Sequence, residues 1–345
     1  MKNIVMVLVV GVVVCGIEAT AGNYDIVEFP IYTGNGGQSH PVIDGDTVAW
    51  IDADFGNGPS GPVHYKNLST GQDHVIATSL TCTWWGWSPA IDGDNIIWSD
   101  TATMGIYGYN ISTQTDYVVW SDGKQRPGID IVGNTVFGVE HKGSDDYDIY
   151  GYDTSAGTRF PISTAPSYQY NPVTNGDVVV WGDLRNGGKN WDIYGFDLAS
   201  ETEFEICTQD IAQQYPSISG NIVVWSDSRN RNNNSNEDIY GYNLDTQAEF
   251  QITTNIGLQE FPSISDNFVV WMDNRNGDYD IYGYDLLTQT EFPIATGLGD
   301  QLRPSISGNT VVWESDGDIF GATIPEPCSL LLIGFGGLFL RKRTS

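Results

Sequence analysis

Residues 262–294 read PSISDNFVVWMDNRNGDYDIYGYDLLTQTEFPI. A short apolar segment, Pro262 to Ile264, meets a polar turn at Ser265-Asp266-Asn267, of the Gly/Asn/Asp-rich kind that supplies positive φ to tight hairpins. Phe268-Val269-Val270-Trp271 is apolar at every position and rich in β-branched and aromatic types, the pattern of a strand buried on both faces. A loop with Asn274-Arg275-Asn276-Gly277 leads to a third strand, Ile281-Tyr282-Gly283-Tyr284. A turn over Leu287 to Gln289 leads to a fourth, Glu291-Phe292-Pro293-Ile294. Four short strands joined by hairpins make one small antiparallel sheet.

The unit recurs, as PSISGNIVVWSDSRN from Pro216 and as PSISGNTVVWESDGDIFG from Pro304. Its second strand ends in Trp at Trp50, Trp98, Trp181, Trp225, Trp271 and Trp313, with Phe137 as the anchor of the remaining copy, at spacings of 39 to 48 residues. Four strands in a period of about 40–45 residues are the signature of a β-propeller, and these anchors imply seven blades. A lone sheet of this kind cannot cover both apolar faces, so the sheets must stack about an axis. The last copy lacks a fourth strand, while Glu28-Phe29-Pro30-Ile31-Tyr32-Thr33-Gly34 nearly repeats Glu291-Phe292-Pro293-Ile294-Ala295-Thr296-Gly297. The sequence thus predicts an all-β, seven-bladed β-propeller over residues 22–324, closed by pairing the N-terminal strand with Ile319-Phe320-Gly321. Such closure removes an exposed edge. Mid-strand glycines at Gly108, Gly151, Gly195, Gly241, Gly283 and Gly321 are expected where a backbone or ring approaches closely between sheets.

Residues 1–21 read as a secretory signal helix, with Lys2, an apolar run from Ile4 to Val14 and a small-residue cleavage site at Ala19-Thr20-Ala21. Residues 325–345 form a tail of three parts: Pro325-Glu326-Pro327, a short hydrophobic helix over 329–340, and the basic cluster Arg341-Lys342-Arg343. The apolar part is shorter than the roughly 20 residues of a spanning helix, and the basic cluster favours the cytoplasmic side. Across 345 residues there are 44 acidic and 15 basic side chains, a net charge of −29. Such a surface repels nucleic acid and anionic lipid. It suits solubility outside the cell, a cationic partner or divalent ions, and its plainest source is a set of Asp-rich turns. Cys82 and Cys207 sit in connections of distant units, too far apart for the roughly 7 Å a disulfide spans, and are expected as free thiols.

Two resemblances follow from these motifs. Trp-x-Asp-x-Arg-Asn occurs at Trp181 to Asn186, Trp225 to Asn230 and Trp271 to Asn276, each followed by Asp-Ile-Tyr-Gly at Asp192, Asp238 and Asp280. These units, over residues 24–321, resemble TolB-type propeller repeats of prokaryotic surface proteins. That likeness implies the fold and a binding or scaffolding role, not an activity. The tail resembles the PEP-CTERM sorting signal of exopolysaccharide-producing bacteria, which implies recognition by an exosortase-type membrane enzyme, transient anchoring in the inner membrane through the tail, and release to the cell surface or extracellular matrix.

The repeated Asp and Arg admit two readings: ligand or metal contacts, or an Arg pinning its loop against neighbouring Asp residues. A residue needed in every blade favours the second. Asp52, Asp54, Asp145, Asp146 and Asp148 lie in oxygen-rich loops of the type that holds Ca²⁺, without full EF-hand spacing. Solvated turns are the default, and no other cofactor is expected. No Gly-x-Ser-x-Gly elbow, His-Glu-x-x-His or phosphate-binding loop is present, and His40, His64, His74 and His141 share no metal-ligand spacing. The connection before Pro89 breaks the repeat with Trp84-Trp85-Gly86-Trp87. Trp84, Trp85 and Trp87, with Asp52, Asp54 and Phe55 on the same face, are the candidate ligand site, since aromatic planes beside carboxylates suit sugar rings; burial as core is the alternative. The leading expectation is a non-catalytic binding or scaffold module for carbohydrate. A polysaccharide lyase or hydrolase, and a scaffold docking an envelope protein, are the alternatives.

Overall fold

The computed structural model describes residues 24–34, 36–53, 61–76, 89–100, 102–143, 145–188, 190–231 and 236–325. These residues form strands and turns with no helix. The expected signal helix and the hydrophobic tail helix lie outside them, as does every sorting residue except Pro325. The strands pair as antiparallel groups of four over residues 37–75, 90–120, 125–163, 169–207, 213–251 and 257–295, with a further group over 301–323 whose fourth member is Val27–Tyr32. We number these sheets first to seventh in that order. The fifth is typical: Gln213–Ser219, Ile222–Asp227, Asn236–Asn243 and Ala248–Gln251. A parallel bridge, Asn236 to Gly257 and Glu237 to Leu258, links the fifth ladder to the sixth. A single parallel bridge, Tyr147 to Tyr168, likewise ties the third sheet to the residue entering the fourth; the ladders meet face to face and do not merge into one closed sheet.

The tryptophans decide how the sheets meet. Trp181 is fully buried against Phe137, Val139, Ile149 and Ile162 of the sheet before it. Trp225 packs likewise on Val178, Val180, Ile193 and Ile206. Trp50, Trp98, Trp271 and Trp313 also pack on the preceding sheet, Trp50 of the first sheet on Val312 and Ile319 of the seventh. The third sheet corrects the sequence reading. Trp181 pairs with Tyr194 and Val180 with Gly195, whereas Phe137 pairs with Gly151 and Gly138 with Tyr150. The structural equivalent of the tryptophan is therefore Gly138, one residue beyond the expected Phe137. The indole volume comes instead from Trp120, on the last strand of the second sheet, which is buried with Ile97, Ile131 and Val136. It stacks on Tyr152 at 6.3 Å. One large aromatic fills the interface whichever side supplies it, because interiors demand filled volume.

Hydrogen bonds also stitch each sheet to the next, and they explain the Pro-Ser-Ile-Ser phrase. Ser217 and Ser219 Oγ accept the N–H groups of Ile264 and Asp266 at 3.3 and 3.0 Å. Ser263 and Ser265 accept those of Ile306 and Gly308, and Ser305 and Ser307 those of Ile43 and Gly45. Where serine is missing a longer side chain takes over: Asp44 to Gly93, Asp92 to Gly133 and Asp130 to Thr174. Asn175 Nδ2 donates to Gly220 O. The seventh sheet is therefore bonded to the first as the others are to their successors.

Val27–Tyr32 pairs with Asp318–Thr323, the partner strand the sequence predicts, through Val27 to Thr323, Glu28 to Ala322 and Phe29 to Gly321. Just before it, Tyr24 reaches the sixth sheet, packing on Phe292 at 4.1 Å and donating its hydroxyl proton to Asp285 at 3.0 Å. The mid-strand glycines need one correction. The ring over each belongs to the fourth strand of the same sheet, not to a neighbouring sheet: Gly195 faces Phe204 and Gly241 faces Phe250, where an added Cβ would meet ring carbons at 2.6 and 2.5 Å.

Two outcomes are expected. Trp120→Ala should destabilise the protein by about 3–5 kcal/mol in chemical denaturation, as loss of a buried Trp does, and adding Gly138→Trp should restore part of that. Recovery of nothing would show that the two positions do not share one space. Asp130 is pushed up to about 7 by burial, against the two backbone N–H groups that favour its carboxylate. The folded state then keeps a proton that the unfolded chain releases near the ordinary value, so stability from this group is present at low pH and lost as pH rises through about 7. Asp130→Ser, the residue other copies use, should gain on wild type between pH 5 and 8 by on the order of 1–2 kcal/mol, since the side chain is partly solvated.

Candidate functional site

The first strands of the first, fourth, fifth, sixth and seventh sheets carry an irregularity at one shared place. Pairing with the second strand shifts register between Ser39 and Val42, Tyr170 and Val173, Gln214 and Ser217, Glu260 and Ser263, and Leu302 and Ser305. Proline causes it, since Pro41, Pro172, Pro216, Pro262 and Pro304 have no N–H for the ladder. The residue before each proline bulges out with positive φ: His40 at 57°, Asn171 at 53°, Tyr215 at 56°, Phe261 at 53° and Arg303 at 51°. Outside Asn this conformation costs on the order of 1 kcal/mol or more per residue and clusters at functional sites. A bulge also re-aims its side chain. Here all five, together with Tyr170, line one cavity of about 570 Å³ between the first strands.

The repeat varies where the cavity is lined and holds constant what supports it. Three residues before each proline stands a buried glutamine, Gln38, Gln169, Gln213, Gln259 or Gln301. Gln169 Nε2 donates to Ala165 O at 2.6 Å and Gln301 Nε2 to Gly299 O at 2.7 Å, so the glutamines fasten the connecting loops. Between glutamine and proline the sequence reads Ser-His, Tyr-Asn, Gln-Tyr, Glu-Phe and Leu-Arg. That variation inside a fixed frame was the signal in the sequence for this site, and composition alone does not show it.

Tyr215 and Phe261 stack at 4.0 Å with 26° between their planes, and the Tyr170 hydroxyl accepts the Tyr215 N–H at 3.2 Å. Arg303 donates to Glu314 Oε1 at 2.6 Å, and the other oxygen accepts the His40 N–H at 3.0 Å. Arg303 Nε and His40 Nε2 are buried without a hydrogen-bond partner. Burial, with the Arg303 charge beside it, holds the His40 imidazole down at about 3, so it is neutral at ordinary pH. Burial raises Tyr170 and Tyr215 above the usual phenol range; the Glu260 and Glu237 charges add to the rise at Tyr215, and Glu237 adds at Tyr170. These two carboxyls come from adjacent sheets. Tyr279 donates to Glu260 at 2.9 Å, Ser228 donates to Glu237 at 3.1 Å, and Arg231 lies 3.6 Å from Glu237. Burial and the Glu260 charge push Glu237 up to about 7.

The repeated Asp and Arg are accounted for elsewhere. Asp183, Asp227 and Asp273, fully buried, each accept the indole N–H of their own Trp at 3.0, 2.9 and 3.1 Å. Each also takes the backbone N–H and guanidinium of the Arg two residues on. Arg185, Arg229 and Arg275 reach outward to Glu203, Glu249 and Glu291 and lie about 4 Å over the rings of Tyr194, Tyr240 and Tyr282. Asn186, Asn230 and Asn276 tie Asp192, Asp238 and Asp280 to the same tyrosines. Every residue of the motif pins its loop.

Of the residues expected to bind ligand, Trp84, Trp85, Trp87, Asp54 and Phe55 lie outside the described residues. Asp52 accepts from Gln38 Nε2 at 2.9 Å and lies 3.4 Å from His64 Nε2, away from the cavity lining. Asp145 sits in a turn with φ 64°, Asp146 accepts the Ser167 N–H, and Asp148 lies 3.6 Å from Lys142. Among the described residues no three His, Cys, Asp or Glu side chains converge as a metal site. Cys207 is buried and free, its thiol pushed up to about 12 by burial; Cys82 lies outside the described residues.

No family model and no curated protein sequence matches the chain. Solved structures do. TolB from Acinetobacter baumannii is 16% identical with a TM-score of 0.55, over 76% of this chain and 67% of that one. The β-propeller domain of the trilobed protease from Pyrococcus furiosus is 14% identical with a TM-score of 0.63, over 88% and 99%. Oligogalacturonate lyase from Vibrio parahaemolyticus is 12% identical with a TM-score of 0.63, over 89% and 99%. At these identities the likeness carries the fold alone. The chain has an all-β, TolB-like propeller fold with a cavity between the first strands of its sheets.

Proposed function

We propose that the chain is an exported seven-bladed β-propeller, closed by its N-terminal strand, that binds carbohydrate without cleaving it and does so at the axial cavity. One observation carries the reading: the residues that vary before each proline, held at positive φ, all line one cavity beside the prolines and serines of the repeat. Stacked aromatic faces beside unspent polar groups suit a sugar ring, and the volume falls within the roughly 300–1,000 Å³ of small-ligand sites. Around it, the bonds from seventh sheet to first support closure of the ring. The leader and the Pro325-Glu326-Pro327 tail support export and exosortase-type processing to the cell surface or matrix. The Trp84, Trp85 and Trp87 connection would extend the stacking surface for a longer glycan, and the acidic loops are where Ca²⁺ would bind.

Titration calorimetry of the purified protein against a glycan panel is the test. Wild type should bind at least one glycan, and Phe261→Ala should weaken binding about tenfold or more while melting within a few degrees of wild type. A panel with no binder at all would sink the reading. Closure has its own check: deleting residues 22–34 should lower the melting temperature sharply, and an unchanged melt would refute it.

A further inference from the structure

We propose that the axial cavity selects a neutral sugar residue and turns acidic sugars away. This rests on the carbohydrate reading. Arg303 and His40 are the basic residues of the lining, and neither offers a free positive charge. Arg303 already holds the Glu314 carboxylate at 2.6 Å, and that carboxylate is fixed from its other side by the His40 N–H. A uronate carboxylate approaching the remaining edge of the guanidinium would add a second negative charge to a pair that Glu314 has already neutralised, so it gains no net cation. His40 brings no compensating charge, since burial keeps its ring neutral.

The surroundings are negative as well. Glu260 directly precedes Phe261 of the lining, and Glu237 joins it from the neighbouring sheet, both close enough to act on Tyr215. Facing them are the Tyr279 and Ser228 hydroxyls, with Arg231 at 3.6 Å the cation that faces Glu237. A chain of net charge −29 adds a repulsive field over the whole approach.

What the cavity leaves unspent is suited to hydroxyls. Arg303 Nε–H is a buried donor without a partner, and neutral His40 Nε2 either donates or accepts according to tautomer. Ser217, Ser263 and Ser305 each have a lone pair engaged by an N–H of the next sheet, which leaves the hydroxyl proton to donate. The Tyr215–Phe261 stack supplies an apolar face for the C–H side of a pyranose.

The experiment is calorimetry on the full chain at pH 7.5, comparing cello-, xylo- and mannotetraose with tetragalacturonate and tetramannuronate. A neutral tetraose should bind at least tenfold more tightly than either uronate. Its affinity should hold between 50 and 500 mM salt, as expected where no charge pairing drives binding. Phe261→Ala should weaken that binding about tenfold or more, and Glu260→Gln should improve uronate binding severalfold while leaving the neutral ligand unchanged. Uronate binding equal to or tighter than neutral binding overturns the selectivity but leaves carbohydrate binding standing. Neutral binding untouched by both Phe261→Ala and Arg303→Met places the ligand elsewhere and overturns the proposal. No binding by any probe overturns it together with the carbohydrate reading.

Discussion

A sheet of four strands with apolar side chains on both faces cannot exist alone in water, and everything else in this molecule answers that constraint. Each sheet gains cover only from two neighbours, and each interface is filled by one indole and a layer of Val and Ile. The exchange of Trp120 for a tryptophan at Gly138 shows what is being conserved. Volume at the interface is kept while its donor changes strand and sheet, as expected when packing density rather than residue identity sets the energy. Hydrogen bonds from backbone N–H groups to Ser and Asp side chains then fix how far one sheet slides on the next.

Burying Asp183, Asp227 and Asp273 is costly, and the cost is met locally. An indole N–H, a backbone N–H and a guanidinium converge on each carboxylate. Such a network is sound when complete and costly when one donor is lost, because the carboxylate stays buried. It also uses three arginines in a chain with only 15 basic residues. Against that scarcity, Arg303 is unusual in lining the cavity between the first strands rather than pinning a loop of the Trp-x-Asp-x-Arg-Asn motif.

Most of the fold was legible in the sequence because its signals are local. Trp and β-branched runs mark the inner strands, Gly/Asn/Asp clusters mark the hairpins, and Glu28-Phe29-Pro30-Ile31 announces its partner by likeness to Glu291-Phe292-Pro293-Ile294. Phe137 misled because Val136-Phe137-Gly138 offers an aromatic one residue before the expected place, and only cross-strand pairing fixes the register. The cavity was missed for a different reason: the varying residues before each proline were visible in the sequence, but their convergence was not. Positive φ at His40, Tyr215, Phe261 and Arg303 arises from two strands adjusting around a proline, a relation between segments that no single segment encodes. The Trp84-Trp85-Gly86-Trp87 connection drew attention as the loudest break in the pattern. The quieter substitution before each proline points inward.

Val27–Tyr32 runs antiparallel to Asp318–Thr323, with Val27 opposite Thr323, so the chain enters and leaves the domain at one end of one strand pair. Tension applied between the two exits would act as a zipper pull. It would load a single cross-strand pair at a time and leave the first five sheets mechanically silent. Tyr24, clamped by Phe292 and Asp285 on the sixth sheet, would be the first catch to carry that load. Held by one exit alone, the same domain would feel no tension across its seam.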